Sequence, residues 1–302
     1  MRSSTRVCAM AAPDAAAPLE LAGAAAEPVR RRSHLTESLE LRIPIAIIVF
    51  MVVLCFLGPT ILGLPAPIGG DILNSNLPMF SAGHVFGTDA VGNDILSRLL
   101  HGGQASLEIA FAVNLIGLVI GGGLGALAAY WGGRLDPIIM RLLDVLIAFP
   151  SLVLALAIAQ SLGPSKVNTI FALAFFSVAA FARISRAATL QLREQTFMTA
   201  ARLSGTPAWR TLLRHIAPNI LPGLVTFALL GMGIIIVLEG ALSFLGLGVP
   251  PPAPSWGNMI STGQQTLSAS PRDVLLPSAF LFVTVLAFNL LGDALRSRWS
   301  VR

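Results

Sequence analysis

Six long stretches of the chain, residues 43–70, 109–133, 145–165, 167–182, 215–238 and 274–292, contain no Asp, Glu, Lys or Arg. A helix needs about 20 residues to cross the roughly 30 Å hydrocarbon layer of a bilayer, and five of the stretches approach or exceed that length. The short one, 167–182, reaches it when extended to Arg183 and Arg186, whose long side chains snorkel to the interface. Another uncharged run, 240–271, holds "VPPPAPSW" and then Ser, Thr and Gln, which reads as loop. The pattern predicts an all-α integral membrane protein with six helices, near 43–64, 106–130, 137–161, 168–189, 219–239 and 274–292. Gly117, Gly121 and Gly125, four apart in the second helix, leave one face almost bare, where another helix packs closely.

Composition agrees. Only 12% of the 302 residues are charged and 55% are hydrophobic, and mean hydropathy is +0.78; soluble domains carry about 25% charged residues. Charge then sets orientation. With the N-terminus inside, the segments 1–42, 131–141, 183–214 and 293–302 hold 17 of the 20 Lys and Arg residues, and only Arg98, Lys166 and Arg272 lie outside. That asymmetry follows the positive-inside rule and places both termini in the cytoplasm. It also accounts for the net positive charge through topology and lipid contact, without nucleic acid.

Cys8 in the tail and Cys55 in the first apolar stretch form no disulfide framework. Residues 1–40, rich in Ala and Pro, lack the apolar core of a signal peptide and read as a disordered cytoplasmic tail. Residues 41–105 read as the first helix and an extracytoplasmic segment. Residues 106–302 read as the main membrane domain, with a cytoplasmic loop at 190–217.

That loop and its surroundings, "TAARLSGTPAWRTLLRHIAPNILP", look at first like a helix–turn–helix. Gly205 is placed to end one helix as a C-cap residue. Thr206 fits an N-cap, with Pro207 at the first helical position. Trp209, Leu212, Leu213 and Ile216 then form an apolar stripe at helical spacing, flanked by Arg210 and Arg214, and Pro218 and Pro222 mark the return to the membrane. A DNA-reading helix must enter a major groove, which tethering at both ends a few residues from the bilayer obstructs. Two readings remain on these residues: a loop lying on headgroups, or a docking surface for a cytoplasmic protein.

Outside the membrane, "GTDAVGNDILSR" suggests a short helix capped by Asp89, with Val91, Ile95 and Leu99 on one side and Asp94–Arg98 as an i,i+4 pair. It reads as an interfacial helix at a pore rim, or as a gate or binding-protein contact. Glu108 and Glu239 are the acids nearest the membrane, each read at the outer end of a helix. An acid there faces a cavity or a partner, so both are pore or gate candidates. Asn114 reads as interhelical glue or a substrate ligand.

"TAARLSG" followed by "HIAPNILP" resembles the Glu-Ala-Ala loop of permease subunits of bacterial ABC importers, in which Glu-Ala-Ala is followed three residues later by Gly and thirteen after that by Pro. Ala200, Ala201, Gly205 and Pro218 match in place, whereas Thr199 stands where the family has Glu. The passages 84–107, 141–156 and 238–260 narrow the resemblance to the second permease of the dipeptide/oligopeptide group, with Asn93 in place of the family's Arg. The resemblance spans about residues 40–300. It implies the fold of a type I importer transmembrane domain in the bacterial inner membrane, paired with a homologous permease. It also implies one or two kinds of ATP-binding subunit, which hold ATP and Mg, and an extracytoplasmic peptide-binding protein. The loop, with Thr199, Ala200, Ala201, Arg202, Gly205, Pro207, Trp209, Arg210, Leu213 and Pro218, would seat on an ATPase subunit. Relatives of this kind also carry nickel or other small solutes.

A P-loop needs Gly-Lys-Ser/Thr, and the one lysine, Lys166, lies in "GPSKVN", so the chain is expected to be non-catalytic and to bind no cofactor or metal itself. A stand-alone secondary transporter favours repeated halves and mid-membrane ionisable groups. An intramembrane hydrolase needs a nucleophile and base at depth, yet His34, His84, His101 and His215 all fall outside the apolar stretches or at their edge.

Overall fold

The computed structural model describes residues 34–299; most of the expected tail lies outside these described residues. Nine helices carry the argument: α1 (His34–Ile61), α2 (Ile95–Trp131), α3 (Leu135–Ile147), α4 (Ser151–Leu162), α5 (Lys166–Arg193), α6 (Thr196–Leu203), α7 (Ala208–Phe244), α8 (Trp256–Gly263) and α9 (Arg272–Trp299). Five of them are long and apolar enough to cross a membrane, and a sixth crossing is made if the bent pair α3–α4 counts as one.

The differences from the sequence pattern have local causes. Residues 34–40, read as tail, already belong to α1. The second helix starts at Ile95 rather than near 106, because Asp94 caps it by accepting from the Ser97 amide at 2.7 Å. At about 1.5 Å per residue its 37 residues run roughly 55 Å, well past the hydrocarbon layer. The third helix is broken, with α3 and α4 meeting at 82°. Pro150 supplies no amide to continue the ladder, and the residue before a proline avoids helical geometry.

Pro218 and Pro222, expected to mark a boundary, instead lie within a continuous α7. A wide turn at Leu212–Ile216, with i→i+5 bonding, immediately precedes Pro218. It displaces the carbonyls that the ring would otherwise strike. Asn219 Nδ2 then donates to His215 O at 2.6 Å, and Thr226 Oγ1 to Pro222 O at 3.1 Å, each a side-chain bond back to the preceding turn of the helix.

The bare glycine face of α2 lies against α5. A Cβ at Gly121 would sit 2.2 Å from Val178 O, and one at Gly125 only 2.1 Å from Ala182 O. The backbones therefore touch at a spacing no larger residue permits. The main core joins α2, α5, α7 and α9 through Ile109, Val113, Leu173, Ile236 and Phe288.

The segments read as outside meet at one end of the bundle. Arg272 Nη2 donates to Leu77 O at 2.6 Å, and Trp256 Nε1 to Leu99 O at 3.0 Å. The start of α1 lies beside the end of α9, where Glu40, Ile43 and Pro44 share a cleft with Leu290 and Asp293.

Candidate functional site

The loop at 190–217 forms a compact bracket. α6 ends in a left-handed turn in which Gly205 has φ +69° and the Thr206 amide bonds back to Ala201 O at 3.1 Å, the six-to-one closure of a glycine C-cap. The second helix starts one residue later than expected. Pro207 is extended, with ψ 147°, and occupies the cap position, its carbonyl accepting from the Arg210 and Thr211 amides, so Thr206 is not the N-cap.

The expected stripe divides. Ile216 is fully buried with Phe181, Met198, Ile220 and Leu224, and Leu212 packs on that cluster. Trp209 and Leu213 point outward, 60% and 66% exposed, and Leu203 at the end of α6 is 85% exposed. The division falls within the wide turn itself, where neighbouring Leu212 and Leu213 face inward and outward. Buried Met198 anchors α6 to the bundle, while Thr199 and Ala200 face out. Arg210 stacks over Trp209 at 5.4 Å, and Arg214 is exposed. The side chain of Arg202 lies outside the described residues. The result is a protruding apolar knob with a basic rim, fixed at its base.

At the opposite end, Asp89 caps a turn, not a helix. Its Oδ1 accepts from the Val91 and Asn93 amides, both at 2.9 Å, and Oδ2 accepts from Asn93 Nδ2. Arg98 pairs with Asp89 at 3.5 Å and donates to Pro67 O, so the expected Asp94–Arg98 pair is replaced. Asp94 is occupied by the Ser97 amide and by His84 Nδ1 at 2.9 Å. Asn93 Oδ1 accepts from the Gly70 amide, so Asn93 ties two turns at this end of the bundle together.

The remaining candidates separate into two places. Glu108 and Asn114 line one groove of about 640 Å³ between α1, α2, α7 and α9, walled by Phe56, Phe111, Met232 and Phe288. Glu108 forms an ion pair with Lys166 across to α5. Asn114 donates to Ala110 O in its own helix, and its Oδ1 faces Gly231 of α7, where a Cβ would come within 2.5 Å.

Glu239 is elsewhere and fully buried. Neither acid ends a helix, since α2 begins at Ile95 and α7 runs on to Phe244. Glu239 Oε1 accepts from Ser243 Oγ at 2.6 Å, Oε2 has no hydrogen-bond partner among the described residues, and Ser106 and Ser255 face the same carboxyl.

What buries Glu239 escaped the sequence reading. The "VPPPAPSW" run leads into α8, whose Ser255 and Asn258 form a reciprocal capping box. Asn258 also holds Val249 O and Ala253 O. Trp256, fully buried, rests on Gly103, where a Cβ would lie 2.7 Å from the ring. The Ser-x-x-Asn spacing at 255–258 was the available signal. α8 seals the outer end of α7 over Glu239.

Comparison with known proteins accords with this arrangement. Residues 121–299 match the family described as binding-protein-dependent transport system inner membrane component. Over 216 residues the chain is 44% identical to the glutathione transport system permease protein GsiD of Pectobacterium atrosepticum, covering 72% of each chain. It is 41% identical to the dipeptide transport system permease protein DppC of Alkalihalophilus pseudofirmus, covering 72% of this chain and 71% of that one. Among solved structures, a chain of the inward-facing MetNI methionine ABC transporter superposes with TM-score 0.55 at 18% identity. The match covers 68% of this chain and 96% of that one, and it speaks for the fold alone. The chain therefore belongs to the family of binding-protein-dependent transport system inner membrane components, with the helical fold of a type I ABC importer permease.

Proposed function

We propose that this chain is one half of the pore of an ATP-driven importer of di- and oligopeptides, the other half being a homologous permease. ATP and Mg are held by one or two kinds of partner subunit, and an extracytoplasmic binding protein delivers the peptide. The observation that carries this is the exposed knob of Leu203, Trp209 and Leu213 on a rigid base. An apolar patch of this kind at the end of a membrane helix is a docking surface. Its base, Ile216 and Met198, is continuous with α5 and α7, so a push on the knob moves two membrane helices as one. Such a lever links the nucleotide state of a partner to the side on which the pore opens. The dipeptide and glutathione relatives support a peptide cargo.

The test is co-purification of the complex carrying Trp209→Glu and Leu213→Glu together. Both positions are exposed, so the bundle stays intact. The ATP-binding subunits are lost, binding-protein-stimulated hydrolysis falls to background, and the two permeases still purify as a pair. Full retention of the ATP-binding subunits with unchanged stimulation refutes the docking assignment.

A further inference from the structure

α3 has a face that no other described part of the chain covers. Leu135, Ile138, Leu142 and Val145, with Phe149 just beyond the helix, are each more than half exposed. The opposite side is clamped to α5. Leu143 is buried with Ala179 and Ala182, Asp136 accepts two bonds from Arg186 at 2.6 and 2.7 Å, and Asp144 accepts from Arg183 at 2.6 Å. Two further arginines, Arg134 and Arg141, are exposed, and no ion pair engages either among the described residues. At about 100° per residue they fall within roughly 20° of each other, at the border between the apolar face and Asp144.

The depth of α3 follows from the register of α5. Arg183 and Arg186 lie 17 and 20 residues beyond Lys166. At about 1.5 Å per residue that is roughly 26–30 Å, one hydrocarbon thickness below the outer surface. The aspartates are eight residues apart on α3 and their partners three apart on α5, about 12 Å against about 4.5 Å. α3 therefore crosses α5 steeply, in keeping with its 82° bend from α4. Trp131, 54% exposed, precedes α3, at the level where aromatic side chains favour the membrane interface. A short helix across the inner end of a span, apolar on one face and bordered by arginines, has the geometry of an in-plane amphipathic helix.

We propose that α3 lies in the plane of the cytoplasmic membrane surface and that Arg134 and Arg141 bind the phosphate headgroups of anionic phospholipids. This site rests on the sidedness adopted under the proposed function. Arg183 and Arg186 connect it to α5, whose inner end leads into the docking bracket.

The test uses the assembled transporter in vesicles, with Cys8 and Cys55 replaced by Ala and a fluorophore on Leu135→Cys, Leu142→Cys or Val145→Cys. Brominated phosphatidylglycerol and brominated phosphatidylcholine are the quenchers. Labels at 135 and 145 report the same depth, where a spanning helix would separate them by about 15 Å. At 142 the anionic lipid quenches at a lower mole fraction than the zwitterionic one, by roughly fivefold for each arginine, and Arg134→Gln with Arg141→Gln abolishes the difference while both lipids still quench. The site is overturned by equal quenching in the wild type, by a preference that survives both substitutions, or by unequal depth at 135 and 145. Absence of quenching by either lipid assigns the face to the partner permease instead. The readout needs neither ATP nor cargo, so it stands apart from the fate of the docking assignment.

Discussion

Gly123 and Gly125 are two residues apart in α2, and the same change at each has opposite consequences. A Cβ at Gly125 meets Ala182 O at 2.1 Å and the Ala182 carbonyl carbon at 2.8 Å, whereas one at Gly123 meets nothing within 4 Å. The obstacle at 125 is backbone, so no rotamer change relieves it, and α2 and α5 must separate by about 1 Å to restore an ordinary contact. Overpacking of this kind costs about 1–3 kcal/mol. Separation also stretches Ser185 Oγ to Gly122 O at 2.6 Å and Arg193 Nη1 to Ala129 O at 3.1 Å. Each such bond contributes about 1 kcal/mol, so Gly125→Ala sits near the top of the range, at about 3 kcal/mol. Gly123→Ala loses no contact and removes the entropic penalty of a mid-helix glycine, a gain of about 0.5–1 kcal/mol. The assay is thermal unfolding of the purified complex in one detergent. Gly125→Ala lowers the midpoint by roughly 6–12 °C and Gly123→Ala raises it by a few degrees, on the scale of about 2–4 °C per kcal/mol. Equal shifts at the two positions, or a harmless Gly125→Ala, would refute the claim that this face is a backbone contact.

Other perturbations read other parts of the structure. Gly205 sits at φ +69° with open space around it, so conformation rather than bulk sets the cost. Gly205→Ala costs about 1–2 kcal/mol and reduces binding-protein-stimulated ATP hydrolysis, while the larger Gly205→Asn, which tolerates that conformation, is milder; an order following side-chain size would contradict this. Trp256→Phe deletes the donor to Leu99 O and part of a fully buried ring, lowering stability by more than the hydrogen bond's own contribution of about 0.5–1.5 kcal/mol because a cavity opens, measurable in the same unfolding assay. Glu239→Gln keeps an acceptor for Ser243 Oγ and leaves assembly and uptake near wild type. Glu239→Leu strands that hydroxyl and costs about 1–3 kcal/mol; loss of uptake in both, with assembly intact, would give the carboxylate a direct part in transport.

Charge-free windows located the five helices long and apolar enough to cross a membrane because an apolar helix in lipid is set by composition, and the bracket that carries the knob was legible separately, since Gly205 and Pro207 punctuate the chain locally. Tertiary contacts were less legible. α2 begins eleven residues before the predicted start because Asp94, not Asp89, found the capping geometry, and α7 passes through two prolines because the wide turn at Leu212–Ile216 absorbs the first. The burial of Glu239 depends on α8, where four prolines hid a helix whose cap is a Ser–Asn pair. The pairing of Asp136 with Arg186 joins residues fifty apart, which no local pattern announces.

Cross-linking at the knob tests the central claim most directly. With Cys8 and Cys55 replaced by Ala, Leu213→Cys is compared with Ile216→Cys in the assembled complex, the first 66% exposed and the second fully buried. A cysteine-reactive photo-cross-linker at 213 captures an ATP-binding subunit, in a yield that changes with nucleotide, and at 216 captures none. Equal capture at both positions, or none at 213 in a complex that still hydrolyses ATP on demand, would mean that the bracket is not the point where hydrolysis is coupled to the membrane.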